Sequence, residues 1–378
     1  MSEGPTKDPD ALIRAVLSGE PAGWPADAGD AFGERLLERA RRQGVATLLW
    51  HALRESEAGP GWPEAGRDRL AAHARRQTAV ELLRQQELQQ VLQALAEAGL
   101  RPVLLKGTAL AYTLYPAAAL RERCDTDLFL PEDAIDRAVG VLAGLGYRVA
   151  DAGGGELPTY QVELLRPGPG GLRHILDLHW RISNRQAFLH ALDYSEVAAR
   201  ATPVPALGEA ALAVSRPHAL LHTCLHLAAH TVFYPDDERI IWLYDMDLLL
   251  SSMAEEEIAG FRRLAAQRRL RAVCGHALQR TQVRLGVEIN PRLLDALTPA
   301  GRSEASAHYL RPGAVHALRG DLAALPGVKA KLAWLRRLVV PRPGKVLASY
   351  HTSARAWLPL LYVYRLGAGL RRLLTRRW

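Results

Sequence analysis

Asp125-Thr126-Asp127-Leu128-Phe129-Leu130 and, further on, Leu176-Asp177-Leu178-His179-Trp180 are the stretches that decide how this chain folds. In each, polar and apolar residues alternate, which is the period-two pattern of a strand. Asp125 and Asp127 are therefore expected on one face, and Asp177, on a separate strand, on the face opposite its apolar neighbours Leu176 and Leu178. Neighbouring carboxylates repel one another unless a cation neutralises them, and an all-oxygen ligand set selects a hard ion such as Mg²⁺ or Mn²⁺. Three carboxylates from two adjacent strands suit two ions about 4 Å apart, the arrangement that clamps the attacking and leaving oxygens of phosphoryl or nucleotidyl transfer.

Upstream lies Pro102-Val103-Leu104-Leu105, read as a short buried strand, followed by Lys106-Gly107-Thr108 and a helical segment through Tyr112 to Tyr115 that Pro116 stops. A glycine at a strand-to-helix junction lets a phosphate approach the backbone, the helix N-terminus offers unpaired N–H groups, and Lys106 adds a point charge. Thr108 can offer a hydroxyl. Arg121 and Arg123, just ahead of the acids, are candidates for bidentate phosphate contacts. A helix over Glu132 to Leu145, a strand around Tyr147 to Ala150 and a hairpin over Pro158 to Trp180, turning at Pro167-Gly168-Pro169-Gly170-Gly171, complete the central region.

The flanks are helical. Phe32 to Leu53 is amphipathic and reads as short helices, and Asp68 to Ala98 lacks Gly and Pro, spaces Leu82, Leu83, Leu88, Val91, Leu92 and Leu95 as a helix does, and closes on Gly99. Ala210 to about Leu297 is again mainly helical. The organisation expected is α+β: an N-terminal helical region (1–99), a small mixed β-sheet core (100–200), a C-terminal helical region (201–300) and a basic, aromatic-containing extension (301–378).

Composition sets the class. With 48% hydrophobic and 23% charged residues over 378 positions, the chain is expected to be soluble and globular, and a chain disordered throughout is excluded. The net charge of +8 is unevenly placed: residues 301–378 hold 15 Lys/Arg and 2 Asp/Glu, which leaves residues 1–300 at −5. Cys124, Cys224 and Cys274 form no disulfide or metal-knuckle pattern, and Met1 to Asp10 does not resemble a secretory signal, so a cytoplasmic location is expected. The most apolar run, Trp357 to Leu374, is broken by Pro359, Arg365, Arg371 and Arg372, so no transmembrane segment is expected.

The succession Leu104-Leu105-Lys106-Gly107, Tyr115-Pro116, Arg121, Asp125-Thr126-Asp127-Leu128 and Leu176-Asp177-Leu178-His179-Trp180 resembles the uncharacterised bacterial nucleotidyltransferase family of the DNA polymerase β superfamily. His222, His226, His230, Trp242 and Asp245 are similar to the later pattern of that family, and the resemblance spans roughly Ala40 to Leu297. It implies a mixed-sheet nucleotidyltransferase core with Asp125, Asp127 and Asp177 as the metal triad. Gly107-Thr108 stands where the superfamily usually has a Gly-Ser pair, and the gap from Gly107 to Asp125 is longer than usual.

Other signals admit structural readings. His218, His222, His226 and His230 form one stripe on a helix; some are expected in the core and one or two, with His179, at the cleft, in preference to a zinc site. Asp245 pairs with a cleft histidine or faces solvent, and Asp247 is read as structural. The basic extension has three readings: RNA backbone contact, an acidic membrane surface, or docking on the acidic body of the same chain, the last slightly favoured. The function expected is metal-dependent transfer of a nucleoside monophosphate from an NTP to a hydroxyl of an acceptor that is a protein, an RNA or a small molecule. The alternative is a catalytically silent module of the same fold.

Overall fold

The computed structural model describes residues 8–20, 22–57, 59–150, 159–298, 304–341, 343–350 and 352–375. Pro158, at the start of the expected hairpin, and the expected boundary at residues 300 and 301 lie outside the described residues. Helices α1 (Pro9–Leu17), α2 (Asp30–Arg42), α3 (Ala46–Glu55) and α4 (Glu64–Glu97) precede the sheet. The amphipathic stretch from Phe32 to Leu53, expected to form short helices, falls in two of them, α2 and α3. Gly44, at φ +72, makes the break, and the Ile241 side chain lies 3.1 Å from where a Cβ would stand, so both conformation and space call for glycine.

Helix α4 has 34 residues and ends as expected, with Gly99 left-handed at φ 71 and the Leu100 N–H returning to the Leu95 carbonyl at 2.9 Å. Its buried face is not wholly apolar. Leu88, Val91, Leu92 and Leu95 are buried, but Leu82 is exposed while Glu81 and Glu87 are buried. The reason is hydrogen bonding: Glu81 accepts from Tyr112 and Arg123, and Glu87 from Tyr147 and Arg166. A buried carboxylate with such donors is tolerated where an unpaired one is not.

The sheet has seven strands in the order β3-β4-β5-β2-β1-β7-β6, and it is mixed. In chain order the elements are β1 (Val103–Leu104), α5 (Lys106–Thr113), β2 (Thr126–Phe129), α6 (Ile135–Gly144), β3 (Arg148–Val149), β4 (Gln161–Pro167), β5 (Arg173–His179), α7 (Tyr194–Ala198), β6 (Thr202–Pro203) and β7 (Leu212–Ala213). β4 and β5 form the antiparallel hairpin, while β2 lies parallel to β5. β6 and β7 were not expected; each has two residues, too few for alternation to register in the sequence.

Helices α8 (Arg216–Thr231), α9 (Ile240–Ser252), α10 (Glu255–Gln267), α11 (Arg271–Leu285) and α12 (Pro291–Ala296) follow, then α13 (Ala314–Ala324), α14 (Gly327–Val339), α15 (Pro343–Ser349) and α16 (Leu358–Thr375). The buried apolar side chains of the N-terminal helices, both faces of the sheet and α8, α9 and α11 join one contiguous core. With the helical flanks on either side of a small mixed sheet, the chain has the α+β fold expected. Among the described residues no helix is long and apolar enough to cross a membrane.

Candidate active site

The site is built on one face of two neighbouring parallel strands. β2 and β5 pair so that Asp127 stands directly opposite Asp177, and Phe129 opposite His179. Because side chains alternate, Asp177 and His179 leave β5 on one face, the face from which Asp127 leaves β2. Ligand atoms of Asp127, Asp177 and His179 lie within 4.8 Å of one another, and all three residues are buried. Asp125 precedes β2 instead of belonging to it and is half-buried, yet it is near enough that its charge and those of Asp127 and Asp177 disfavour one another.

The electrostatics follow from this crowding. Burial pushes Asp177 up to about 7, and the charges of Asp127 and Asp125 add to the rise. Its Oδ2 accepts from Gln161 Nε2 at 3.2 Å, but its Oδ1 is buried with no hydrogen-bond partner. Asp127 is held far below the ordinary carboxylate range although burial opposes this, because Lys106 and His179 both serve it. Lys106 Nζ lies 2.5 Å, and His179 Nε2 2.7 Å, from the same Oδ1. With an ionised carboxylate as partner, the imidazole is the donor in that bond. Burial would lower Lys106, but Asp127 outweighs it and the ammonium is held protonated.

An orphaned, buried carboxylate oxygen beside two further carboxylates is the donor set that fits a divalent cation. Asp127 and Asp177 bring hard oxygens to this group and His179 a ring nitrogen that also bonds Asp127 Oδ1, while Asp125 lies outside the set whose ligand atoms come within 4.8 Å of one another. The sequence reading put His179 only at the cleft. Its spacing of two from Asp177 on one strand is the signal that it shares the acid's face.

The residues expected to hold a nucleotide are distributed differently. Lys106 is 27% exposed and adopts φ 48 at the head of α5, a left-handed conformation rare outside glycine. Gly107 sits where a Cβ would come within 3.4–3.6 Å of the Arg121 guanidinium. Thr108 is buried and its hydroxyl donates to the Asp125 carbonyl at 3.4 Å, so it braces the acid loop and does not present the hydroxyl expected of it. Arg121 is buried against Asp245, with Nε 2.8 Å from Oδ1 and Nη2 2.7 Å from Oδ2, while Nη1 donates to the Glu122 carbonyl. Arg123 donates to the Asp125 carbonyl at 3.1 Å, to Thr126 Oγ1 at 2.7 Å and to Glu81 at 2.8 Å. Both arginines thus shape the loop that carries Asp125; ion pairing of this kind needs partners distant in sequence, which spacing alone does not reveal.

Asp245 is accordingly paired with Arg121 and with the Tyr115 hydroxyl at 2.8 Å, and not with a cleft histidine or solvent. Asp247 is half-buried. The histidine stripe divides along α8. His218 is buried against Ser215 and Glu196, and His222 is buried with Nε2 3.2 Å from the Ile182 carbonyl. Further along, His226 and His230 set their ring edges against Trp242, with centroids 4.8 and 4.9 Å apart, and His230 bonds Asp237 at 2.9 Å. Burial pushes His222 down to about 3, with the Lys106 charge next in effect, and His226 is lowered by the same two causes.

Fold and site together define a nucleotidyltransferase-type centre: a carboxylate group on adjacent strands of a mixed sheet, beside a lysine–glycine helix start. Residues 32–286 match the family described as uncharacterised nucleotidyltransferase, and the chain belongs to that family. No protein of curated function matches the sequence.

Proposed function

We propose that this protein transfers a nucleoside monophosphate from an NTP to an acceptor hydroxyl, with release of pyrophosphate, using Mg²⁺ or Mn²⁺. The observation that carries the reading is the register pair Asp127–Asp177 with the unpartnered Asp177 Oδ1 between further acids. Asp125, Asp127 and Asp177 would hold the cation. When bound, it would neutralise the triphosphate and lower the pKa of the acceptor hydroxyl.

The chain's own residues have distinct tasks in this reading. Asp177, nearest the acceptor, serves as ligand or as the base that takes its proton. His179 keeps Asp127 oriented through Nε2. Lys106, on a flexible stem, can turn its ammonium to the β and γ phosphates, and the N–H groups at the start of α5 around Gly107 can bind the same oxygens. Arg121 and Arg123 act by fixing the loop between α5 and β2, with their charge felt at longer range. His226 and His230, half-buried and edge-on to Trp242, are the stripe histidines open to a base or an acceptor in this reading.

The test is incubation with labelled ATP, CTP, GTP and UTP, Mg²⁺ and cell extract. Label should appear on an acceptor with the intact protein and vanish with Asp125→Ala plus Asp127→Ala; labelling that survives the double substitution defeats the proposal. One observation favours a silent nucleotide-binding module instead: Lys106 already satisfies the central carboxylate. Tight, Mg²⁺-dependent NTP binding by calorimetry with no turnover on RNA, protein or small hydroxyl compounds would select that reading.

A further inference from the structure

The basic extension carries a surface that the transferase reading leaves unused. Nine of the fourteen large hydrophobic residues exposed among the described residues fall between Val328 and Leu366. They are ordered. On α14, Val328, Leu332 and Val339 follow helical spacing; on α16, Leu360, Val363 and Tyr364 do the same, with Trp357 at the start of the helix. From residue 322 to residue 378 the sequence has 12 Lys/Arg and no Asp/Glu. Lys329, Lys331, Arg336 and Arg337 on α14 make no ion pair among the described residues.

From this combination we infer that α14 and α16 form an interfacial binding surface for an anionic lipid bilayer. Each of the three partners weighed for a basic segment leaves a different mark. Docking on the acidic body would bury the apolar face, yet Val363 is 66% and Leu360 58% exposed. Trp334 and Val346, two buried apolar side chains of this segment, lie outside the contiguous core of the body. RNA would use the cations and stack on aromatics, but gives Val328, Leu332, Leu360 and Val363 nothing to bury against. An anionic membrane uses both: headgroups take the cations, the acyl boundary takes the aliphatic side chains, and Trp357 and Tyr364 suit the interface between them. Since no helix among the described residues is long and apolar enough to cross a bilayer, the helices would lie on its surface. Two copies of this segment facing each other would oppose like charges, so a second copy is a poorer occupant.

Full-length protein sedimented with vesicles of phosphatidylglycerol and phosphatidylcholine should bind at least about tenfold better than with phosphatidylcholine alone in 0.1 M salt, and the difference should shrink at 1 M as the screening length falls from about 10 to about 3 Å. Leu360→Glu with Val363→Glu should lower binding by about tenfold or more, because each removes apolar contact and adds repulsion. Val328→Ser with Leu332→Ser, a milder pair on the other helix, should lower it in the same direction, while Leu82→Glu, exposed on α4 of the body, should leave it unchanged. Equal binding to neutral vesicles, or full binding by both paired variants, overturns the inference. So does a labelled single-stranded RNA that binds tightly while vesicles are ignored, or a dimer abolished by Leu360→Glu with Val363→Glu in a protein that ignores vesicles. None of these readouts depends on nucleotidyl transfer, so failure here and failure of the proposed activity are separable.

Discussion

Asp127 and Asp177 are register partners across the parallel pair β2 and β5, so a single ladder position sets two carboxylates side by side in a buried site. Both are nearly sealed from water, and they differ in what compensates them. Asp127 has an ammonium and an imidazole on one oxygen, whereas Asp177 has one amide on Oδ2 and nothing on Oδ1. The second acid is thus the member of the pair with most to gain from a cation.

Calorimetric titration with Mn²⁺ checks that directly. Asp177→Asn keeps the shape and the Gln161 contact but removes the charge, and should weaken Mn²⁺ binding on the order of 10²-fold. His179→Ala, which removes only the support behind Asp127, should cost about tenfold. Undiminished binding by Asp177→Asn would move the ion elsewhere.

Lys106 combines strain with charge, and the two can be separated by substitution. Lys106→Ala and Lys106→Gly both remove the ammonium from Asp127, but only glycine relaxes at φ 48. In urea denaturation the glycine variant should be more stable than the alanine variant by about 1 kcal/mol. Both should lose transfer activity by on the order of 10²–10³, the scale of losing one positioned donor to the reacting phosphates. An alanine variant as stable as the glycine variant would mean that the left-handed turn carries no cost.

The buried pair Arg121–Asp245 should behave as a structural brace. Asp245→Ala leaves the Arg121 guanidinium, 8% exposed, without its counter-charge and should cost about 3–5 kcal/mol in denaturant unfolding. Replacing both together, Arg121→Met with Asp245→Leu, should recover much of that loss, since the expense lies in the orphaned charge. A double variant no better than Asp245→Ala would point to the hydrogen bonds from Arg121 to the Glu122 carbonyl and from Tyr115 as the larger part.

Glu122 supplies a pH dependence away from the metal group. Burial would raise its pKa, but His73, the Thr47 N–H and the Thr47 hydroxyl outweigh burial and hold it below the usual range. A depressed folded-state pKa adds stability that is present above the unfolded value, about 4.3, and is lost as pH falls through the folded value. Measured against Glu122→Gln, the stability advantage of the native protein should therefore be constant above about pH 5.5 and shrink steadily below about pH 4.3. An advantage that grows on acidification would reverse the assignment.

How far the sequence could be read depended on how local each feature is. The long helix ending at Gly99, the strand holding Asp127 and the hairpin holding Asp177 all follow from period, glycine and proline, and they were legible. The strands Thr202–Pro203 and Leu212–Ala213 and the burial of Glu81 and Glu87 were not, because each is fixed by a neighbour remote in the chain. The same division runs through the site. By itself the sequence determined which acids alternate onto a common face and which glycine opens the helix beside them, since backbone geometry dictates both within a few residues. Only the tertiary structure decided that Arg121 belongs to Asp245, that Lys106 rests on Asp127 and that His179 joins the acids, because charge pairing acts through space and its partners here lie 124, 21 and 52 positions apart.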